Sequence, residues 1–429
     1  MREMKDSGIE WIGEIPVGWA VCRIKELFRE VNERCENGND YTLLSVSEYY
    51  GVSPKSQRIS DDDMLTHAET LDGYKVCHEN DIVMNIMLAW KRALGVSQYE
   101  GIVSPAYCVY RTNKDLESKY FHYLYRTDMY ANLFKQFSTG IIDSRLRLYP
   151  DKFLSLKCQV PPLEEQHRIS TYLDTKCEKI DSIIARQQEV IEKLKSYKLS
   201  VITEAVTKGL NPDVRMKDSG VEWIGDVPEK CKVTRVGRIF KIILGKMLSP
   251  TPKQDNDTLE NYLCAANVHF TGISSKFLKQ MWFSEMEKRI YEVQYGDLLV
   301  VEGGAGAGGA HIVDVELSDC YIQNSIMIVR SSGIVSNKWL YYTLYALVKR
   351  NYIDFVCNKA TIPHFTKDKL GNVPIVVFSN EDETAVIAYL DKKCSAIDSA
   401  IAKKQAIIEK LTAYKKSLIY EVVTGKREV

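Results

Sequence analysis

The stretch Met4–Pro16, MKDSGIEWIGEIP, returns as Met216–Pro228, MKDSGVEWIGDVP. A second stretch does the same: Tyr172-Leu173-Asp174 returns as Tyr389-Leu390-Asp391. After it, Cys177, Ile180-Asp181-Ser182 and Ile191-Glu192-Lys193-Leu194 match Cys394, Ile397-Asp398-Ser399 and Ile408-Glu409-Lys410-Leu411. About 22 of some 36 aligned positions in this second pair are identical. Between the repeats lie segments of roughly 150 residues that share almost no identity, so one plan is used twice with different surfaces.

Working outward from the second repeat, Leu173, Cys177, Ile180, Ile184, Ile191, Leu194, Val201 and Ala205 step by threes and fours once the polar positions Gln187 and Lys198 are included. That spacing predicts a heptad seam on one long helix, entered after Pro161-Pro162 and broken by Asn211-Pro212-Asp213. The second copy gives Leu390, Cys394, Ile397, Ile401, Ile408, Leu411, Leu418 and Val422, with Lys404 and Lys415 at the same polar positions. A polar residue in an apolar seam costs stability but fixes register, so the two helices are expected to pair with each other. A pseudo-twofold relation would make that pairing antiparallel, with a globular module at each end of a spacer ~60 Å long. The competing arrangement is two amphipathic helices packed on separate domains. The expected organisation is a first module (1–160), a first helical spacer (161–213), a second module (214–379) and a second spacer (380–429).

Composition bounds the function classes. Hydrophobic residues are 45% and charged residues 27% of the 429, ordinary for a chain with cores. Lys plus Arg and Asp plus Glu number 57 each, so any nucleic-acid surface comes from local clustering or from a partner. The eleven cysteines include no C-x-x-C pair, and the first residues lack the apolar core of a signal peptide. A cytoplasmic protein with free thiols is expected, with no metal site and no membrane span, since zinc-ligand spacing and long apolar runs are both missing.

The first module alternates β-rich runs at 41–46, 80–84 and 106–110 with turns, then a tyrosine-rich helix from Lys119 to Phe137. The second repeats that order with runs at 296–301 and 325–330 and a helix from Lys338 to Phe355. The fold class is therefore α+β: two mixed modules and two long helices. Basic, amide and small residues gather at turn-like places, where recognition usually sits. The candidates in the first module are Lys91, Arg92, Ser138, Thr139, Arg145 and Arg147. Those in the second are Lys246, Gly303, Gly304, Asn358, Lys359, Thr361 and His364. Arg and Lys suit phosphates and guanine edges, and Asn suits adenine, although the same residues populate any solvated surface.

Catalytic motifs fail on context. Gly304–Gly309 satisfies G-x-G-x-x-G, but a dinucleotide loop opens a helix, whereas His311-Ile312-Val313-Asp314-Val315 is β-branched and reads as a strand. Pro150-Asp151 with Asp174-Thr175-Lys176 imitates a nuclease P-D…D-x-K, yet Asp174 and Lys176 lie two apart on a helix and face different directions. No phosphate-binding G-x-x-x-x-G-K-[ST] loop and no Asn-Pro-Pro-aromatic motif for amino-group methylation is present. No catalytic residue is assigned.

These residues carry a family resemblance over essentially the whole length. The entry segments with Trp11-Ile12-Gly13 and Trp223-Ile224-Gly225, the junction Pro161-Pro162-Leu163-Glu164-Glu165-Gln166 and the duplicated Tyr-Leu-Asp helices make the chain similar to Type I restriction-modification specificity subunits. Asp81–Asn85 leading to Ala89-Trp90-Lys91, Leu94–Ser97 and Gly101–Tyr107 resembles one type of target-recognition domain. Gly296–Gly304 with Gln323-Asn324-Ser325 resembles another. The second junction departs from the pattern, running Val373–Phe378 into Asn380-Glu381-Asp382-Glu383 without the double proline and Glu-Gln.

The resemblance implies a non-catalytic subunit whose two target-recognition domains each read half of a split double-stranded DNA site. It also implies two methyltransferase subunits and, for cleavage, restriction subunits as partners. S-adenosylmethionine, ATP and Mg are then expected on those partners and no cofactor on this chain. A coiled-coil scaffold whose variable domains bind proteins is the competing class.

Overall fold

The computed structural model describes residues 2–57, 70–276, 278–357 and 363–429. The chain divides into two compact units, one of residues 1–187 and 406–429, the other of residues 188–405.

The first unit is built on a four-stranded antiparallel sheet. The elements used below are β1 (Ala20–Arg23), β2 (Phe28–Val31), β3 (Ile82–Asn85), β4 (Leu94–Val96), β5 (Tyr107–Thr112) and β6 (Lys157–Val160). Sheet order is β2-β5-β3-β4, and β1 pairs with β6 apart from it. β3 is buried at every position, which is why Ile82-Val83-Met84 reads as a continuous apolar run rather than an alternating one. The sheet carries α1 (Ser118–Tyr125) and α2 (Asp128–Phe137). Their rings Tyr120, Phe121, Tyr125, Tyr130 and Phe134 are fully buried with Phe28 and Phe153 in the main core.

The single helix expected from Lys119 to Phe137 is thus two. Thr127 is extended, and its hydroxyl accepts from Tyr130 N, so it starts a second helix instead of continuing the first. A long helix, α3 (Leu163–Lys208, 46 residues), leaves β6 through Pro161-Pro162.

The second unit has the same sheet order in different residues. β7 (Lys232–Arg235) pairs with β12 (Pro374–Val377); β8 (Phe240–Leu244), β11 (Ile326–Ser331), β9 (Leu298–Val301) and β10 (Ala310–Ile312) form the four-stranded sheet in the order β8-β11-β9-β10. Here α4 (Asn337–Lys349) is followed by Asn351, whose φ of 59° is left-handed; an amide side chain tolerates that conformation, and a short helix, Tyr352–Val356, follows. The last helix is α5 (Asn380–Val423, 44 residues), and Gly425 with φ 72° follows its end.

One ion pair on a buried carboxylate recurs in both sheets. In the turn His78–Asp81, Asp81 accepts from His78 N at 3.0 Å and from two nitrogens of Arg111 on β5 at 3.0 Å each. In the turn Gln294–Asp297, Asp297 accepts from Gln294 N at 2.8 Å and from Arg330 on β11 at 2.7 and 2.8 Å. The third turn position needs a positive φ in both, supplied by Asn80 at 69° and Gly296 at 84°.

A second recurrence fixes the long helices to α1 and α4. Lys119 Nζ and Tyr123 OH bind Asp174 at 2.9 and 2.6 Å in the first unit. Lys338 Nζ and Tyr342 OH bind Asp391 at 2.6 Å each in the second. Burial, and then the adjacent carboxylate, push both tyrosine hydroxyls up in pKa, so they stay protonated donors. Asp174 and Asp391 are therefore committed to anchoring, which accounts for the nuclease-like spacing without a metal. At the helix entrances Gln166 accepts from Glu117 N at 3.1 Å, and Glu383 accepts from Ser336 N at 2.8 Å. Glu383 thus makes at the divergent second junction the contact that the Glu-Gln pattern makes at the first.

Candidate nucleic-acid interface

In the first unit the site is assembled from two loops. The β3–β4 loop starts with Asn85, whose side chain accepts from Met87 N at 3.1 Å, and turns through Ala89–Lys91 to Arg92 at φ 67°. The second loop follows α2 from Ser138 to Leu148. It is closed by reciprocal backbone bonds between Thr139 and Arg147 at 2.9 and 3.0 Å, and Leu148 N bonds Ile86 O at 2.9 Å, which ties the two loops together. Trp90 is the hinge between them: its indole N–H donates to Met87 O, while Lys91 and Lys135 nitrogens lie 5.2 and 4.8 Å from its ring centre. Lys135 also pairs with Asp143 of the second loop at 2.9 Å.

Lys91, Ser138, Thr139, Arg145 and Arg147 are thereby brought onto joined loops. Ser138 donates to Phe134 O and closes α2, so its hydroxyl is partly committed. Arg92 turns the other way, pairing with Asp128 at the start of α2.

In the second unit the corresponding loops are the glycine run after β9 and the segment before Phe365. Gly303 and His364 bridge as strands do, Gly304 N bonds Pro363 O at 3.2 Å, and Phe365 N bonds Glu302 O at 2.6 Å. His364 Nδ1 lies 3.2 Å from Glu302. Gly304 has φ 89° and Gly308 φ 79°; a Cβ on Gly308 would come within 2.7 Å of Ile353, so the glycines serve a tight turn laid on the helical layer. The following residues form β10, antiparallel to β9, as expected of a segment that is no dinucleotide-binding helix.

Gly303, Gly304 and His364 are thus together. Lys246 is not with them: it is 5% exposed, and its ammonium is enclosed by Glu287 at 2.5 Å and Trp282 O at 2.6 Å. Asn358, Lys359 and Thr361 lie outside the described residues.

Along the long helices, Leu173, Ile180, Ile191, Leu390 and Ile397 are buried. Ile184, Gln187, Leu194, Ile401, Lys404, Ile408 and Leu411 are half-buried. In the first unit Leu173 and Ile180 enter one core with Leu418 and Val422, and Lys415 pairs with Asp181 at 2.6 Å. In the second, Val201, Ile202 and Ala205 share a core with Leu390 and Cys394, and Lys198 pairs with Asp398 at 2.7 Å. Lys198 and Lys415 are polar interruptions of the heptad pattern, and each meets the carboxylate at an equivalent repeat position.

Residues 16–193 match the family model described as the Type I restriction modification DNA specificity domain. Over that part the chain is similar to Type I restriction-modification specificity subunits. It is 24% identical over 224 residues to the StySPI specificity subunit of Salmonella potsdam, covering 49% of this chain and 47% of the relative. It is 22% identical over 302 residues to the EcoKI specificity subunit of Escherichia coli K12, covering 67% and 62%. The aligned part is thus between about half and three fifths of those relatives' lengths. A solved chain, from work on complex assembly and conformational transition of the type I R-M system, has the same fold with a TM-score of 0.70. It is 17% identical and covers 96% of this chain and 99% of that one.

Several residues of the candidate interface carry no motif in the sequence. Lys135 joins the two loops of the first unit, but on a helix it looks like any solvated lysine. All eleven cysteines are free thiols. Among the described residues no three or more His, Cys, Asp or Glu are grouped as metal ligands, and no helix is long and apolar enough to cross a membrane.

Proposed function

We propose that the chain is the DNA sequence-specificity subunit of a Type I restriction-modification complex. It reads a bipartite double-stranded site and positions two methyltransferase subunits and the restriction subunits, in the cytoplasm. The observation that carries this reading is a pair of loop clusters, Trp90–Arg92 with Ser138–Leu148 and Glu302–Gly309 with Pro363–Phe365, mounted at matching places on two sheets of identical order. The frame is shared and the loops differ, as two readers of two half-sites require. Arg145, Arg147 and Lys91 in the first module, and His364 with the backbone of Gly303 and Gly304 in the second, are the proposed contacts. Asn358, Lys359 and Thr361 join the second group. The chain performs no chemistry itself: S-adenosylmethionine, ATP and Mg belong to the partners.

In this reading residues 1–160 and 214–379 are the target-recognition domains, and 161–213 and 380–429 are helical spacers paired as an antiparallel coiled coil. The ion pairs support it. Position 181 meets 415 and position 198 meets 398, so the partner number falls as the first rises, and the two pairs exchange under the repeat. Two half-sites on one face of a duplex lie about one helical turn apart, ~34 Å, a distance that a stiff helical pair can impose. Sequencing methylated adenines in a host carrying the complete system tests the proposal. A split recognition sequence with a fixed gap is expected, and inserting one heptad into both helices is expected to change the gap while keeping both halves. A continuous sequence, or methylation unchanged when this chain is deleted, would overturn it.

A further inference from the structure

We propose that Ile141 and Ile142 form an apolar tip that is buried against the bases of the DNA half-site read by the first module. The inference rests on the DNA-specificity reading above and names a contact of a different chemical kind from its basic residues.

The first observation is exposure. Ile141 is 100% exposed and Ile142 53%, and among the described residues no other large apolar side chain is as open as Ile141. Two adjacent β-branched apolar residues left in water forgo the burial that every core isoleucine gains, so a covering surface would be favourable.

The second observation is that this tip is held in place. Thr139 and Arg147 close its base with two backbone bonds, Arg145 N bonds Ile142 O at 2.8 Å, and Asp143 is fastened to Lys135 at 2.9 Å. Gly140 at φ 154° lets the chain double back, since a Cβ there would lie 2.6 Å from Arg145 O. Such a loop presents its side chains with little ordering left to do on binding.

The third observation selects the partner. The tip stands between Gly140 and the pair Arg145 and Arg147, beside Trp90, which Lys91 of the joined loop and Lys135 of α2 both approach. The acidic residue of the loop, Asp143, is already paired with Lys135. A basic surround with an apolar centre complements a polyanion whose bases are apolar at their faces and at thymine methyls. Isoleucine is among the side chains that proteins insert at base steps.

The test uses the full chain assembled with its methyltransferase subunits, on a duplex carrying the site mapped by methylated-adenine sequencing. Replacing both residues by serine (I141S/I142S) is expected to weaken binding by roughly tenfold or more. The salt dependence should stay unchanged, because every cationic partner of the phosphates is kept. The conservative pair I141V/I142V should restore most of the affinity, which a misfolded loop would not allow. R145A/R147A should instead lower the slope of log affinity against log salt by roughly 0.9 for each phosphate that is no longer neutralised. Full affinity in the serine pair beside weakened binding in the arginine pair would overturn the apolar tip and leave the DNA reading standing. Loss of methyltransferase subunits from the serine pair would assign the tip to a protein contact and also overturn it. No change in sequence-dependent binding in either pair or on removing the first module would overturn both.

Discussion

The two units use one frame and fill it differently. Asp81 with Arg111 matches Asp297 with Arg330, Asp174 gripped by Lys119 and Tyr123 matches Asp391 gripped by Lys338 and Tyr342, and Gln166 matches Glu383. Between these fixed points the fillings diverge. Where α1 carries His122, α4 carries Tyr341; where the first unit offers Trp90, Ile141 and two arginines, the second offers a glycine turn and His364. Residues that hold elements together recur, and residues that face outward from the loops do not.

The comparison can be broken most severely at the buried carboxylates. Asp81 and Asp297 are almost wholly buried beside a partly exposed guanidinium, so replacing either by alanine removes that guanidinium's charged acceptor and leaves turn donors unpaired. Each variant is expected to lose about 1.5–3 kcal/mol of unfolding free energy, measured by denaturant titration. Similar losses from D81A and D297A would mark a shared frame, whereas a loss in one alone would show that only one sheet depends on the pair.

A difference of filling should appear as a pH effect. His122 is half-buried, its Nδ1 accepts from Val96 N at 3.2 Å, and desolvation followed by the nearby charge of Arg126 pushes its pKa down to about 3. The unfolded imidazole takes its proton near pH 6.5, so the folded form is at full advantage above that pH and loses stability as pH falls from there toward 3. Replacing His122 by Gln should flatten this loss in the first unit, read by hydrogen exchange across α1 at pH 7 and pH 5. The second unit, with Tyr341 there, should not respond to that substitution.

The smallest effect is expected at the helix anchors. Asp174 and Asp391 are half-exposed, so water screens their ion pairs, and each Asp→Asn change is expected to cost about 1–2 kcal/mol, mainly through the weakened tyrosine bond. Equal losses at 174 and 391 would sharpen the match between units; an effect at one alone would break it.

The large organisation was legible because it was written twice: Met4–Pro16, the Tyr-Leu-Asp helices and their heptad spacing placed two long helices within a few residues of Leu163–Lys208 and Asn380–Val423. The strands at Ile82–Asn85, Leu298–Val301 and Ile326–Ser331 were legible from β-branched runs beside turn signals. What stayed hidden depended on partners distant in sequence. The break at Arg126-Thr127 needs a hydroxyl cap that no apolar period reveals. Lys246 reads as a free cation until Glu287, 41 positions away, encloses it. The loops of the candidate interface read as turn-like basic stretches, but their joining through Trp90, Lys135 and Asp143 is a tertiary fact.

The central claim is that each module reads its own half of a split site. It is tested most directly by replacing residues 1–160 with the corresponding module of a Type I specificity subunit, expressing the chain with the proposed methyltransferase partners and sequencing methylated adenines. The account predicts that one half of the methylated sequence changes, while the other half and the gap remain. Alteration of both halves would contradict it.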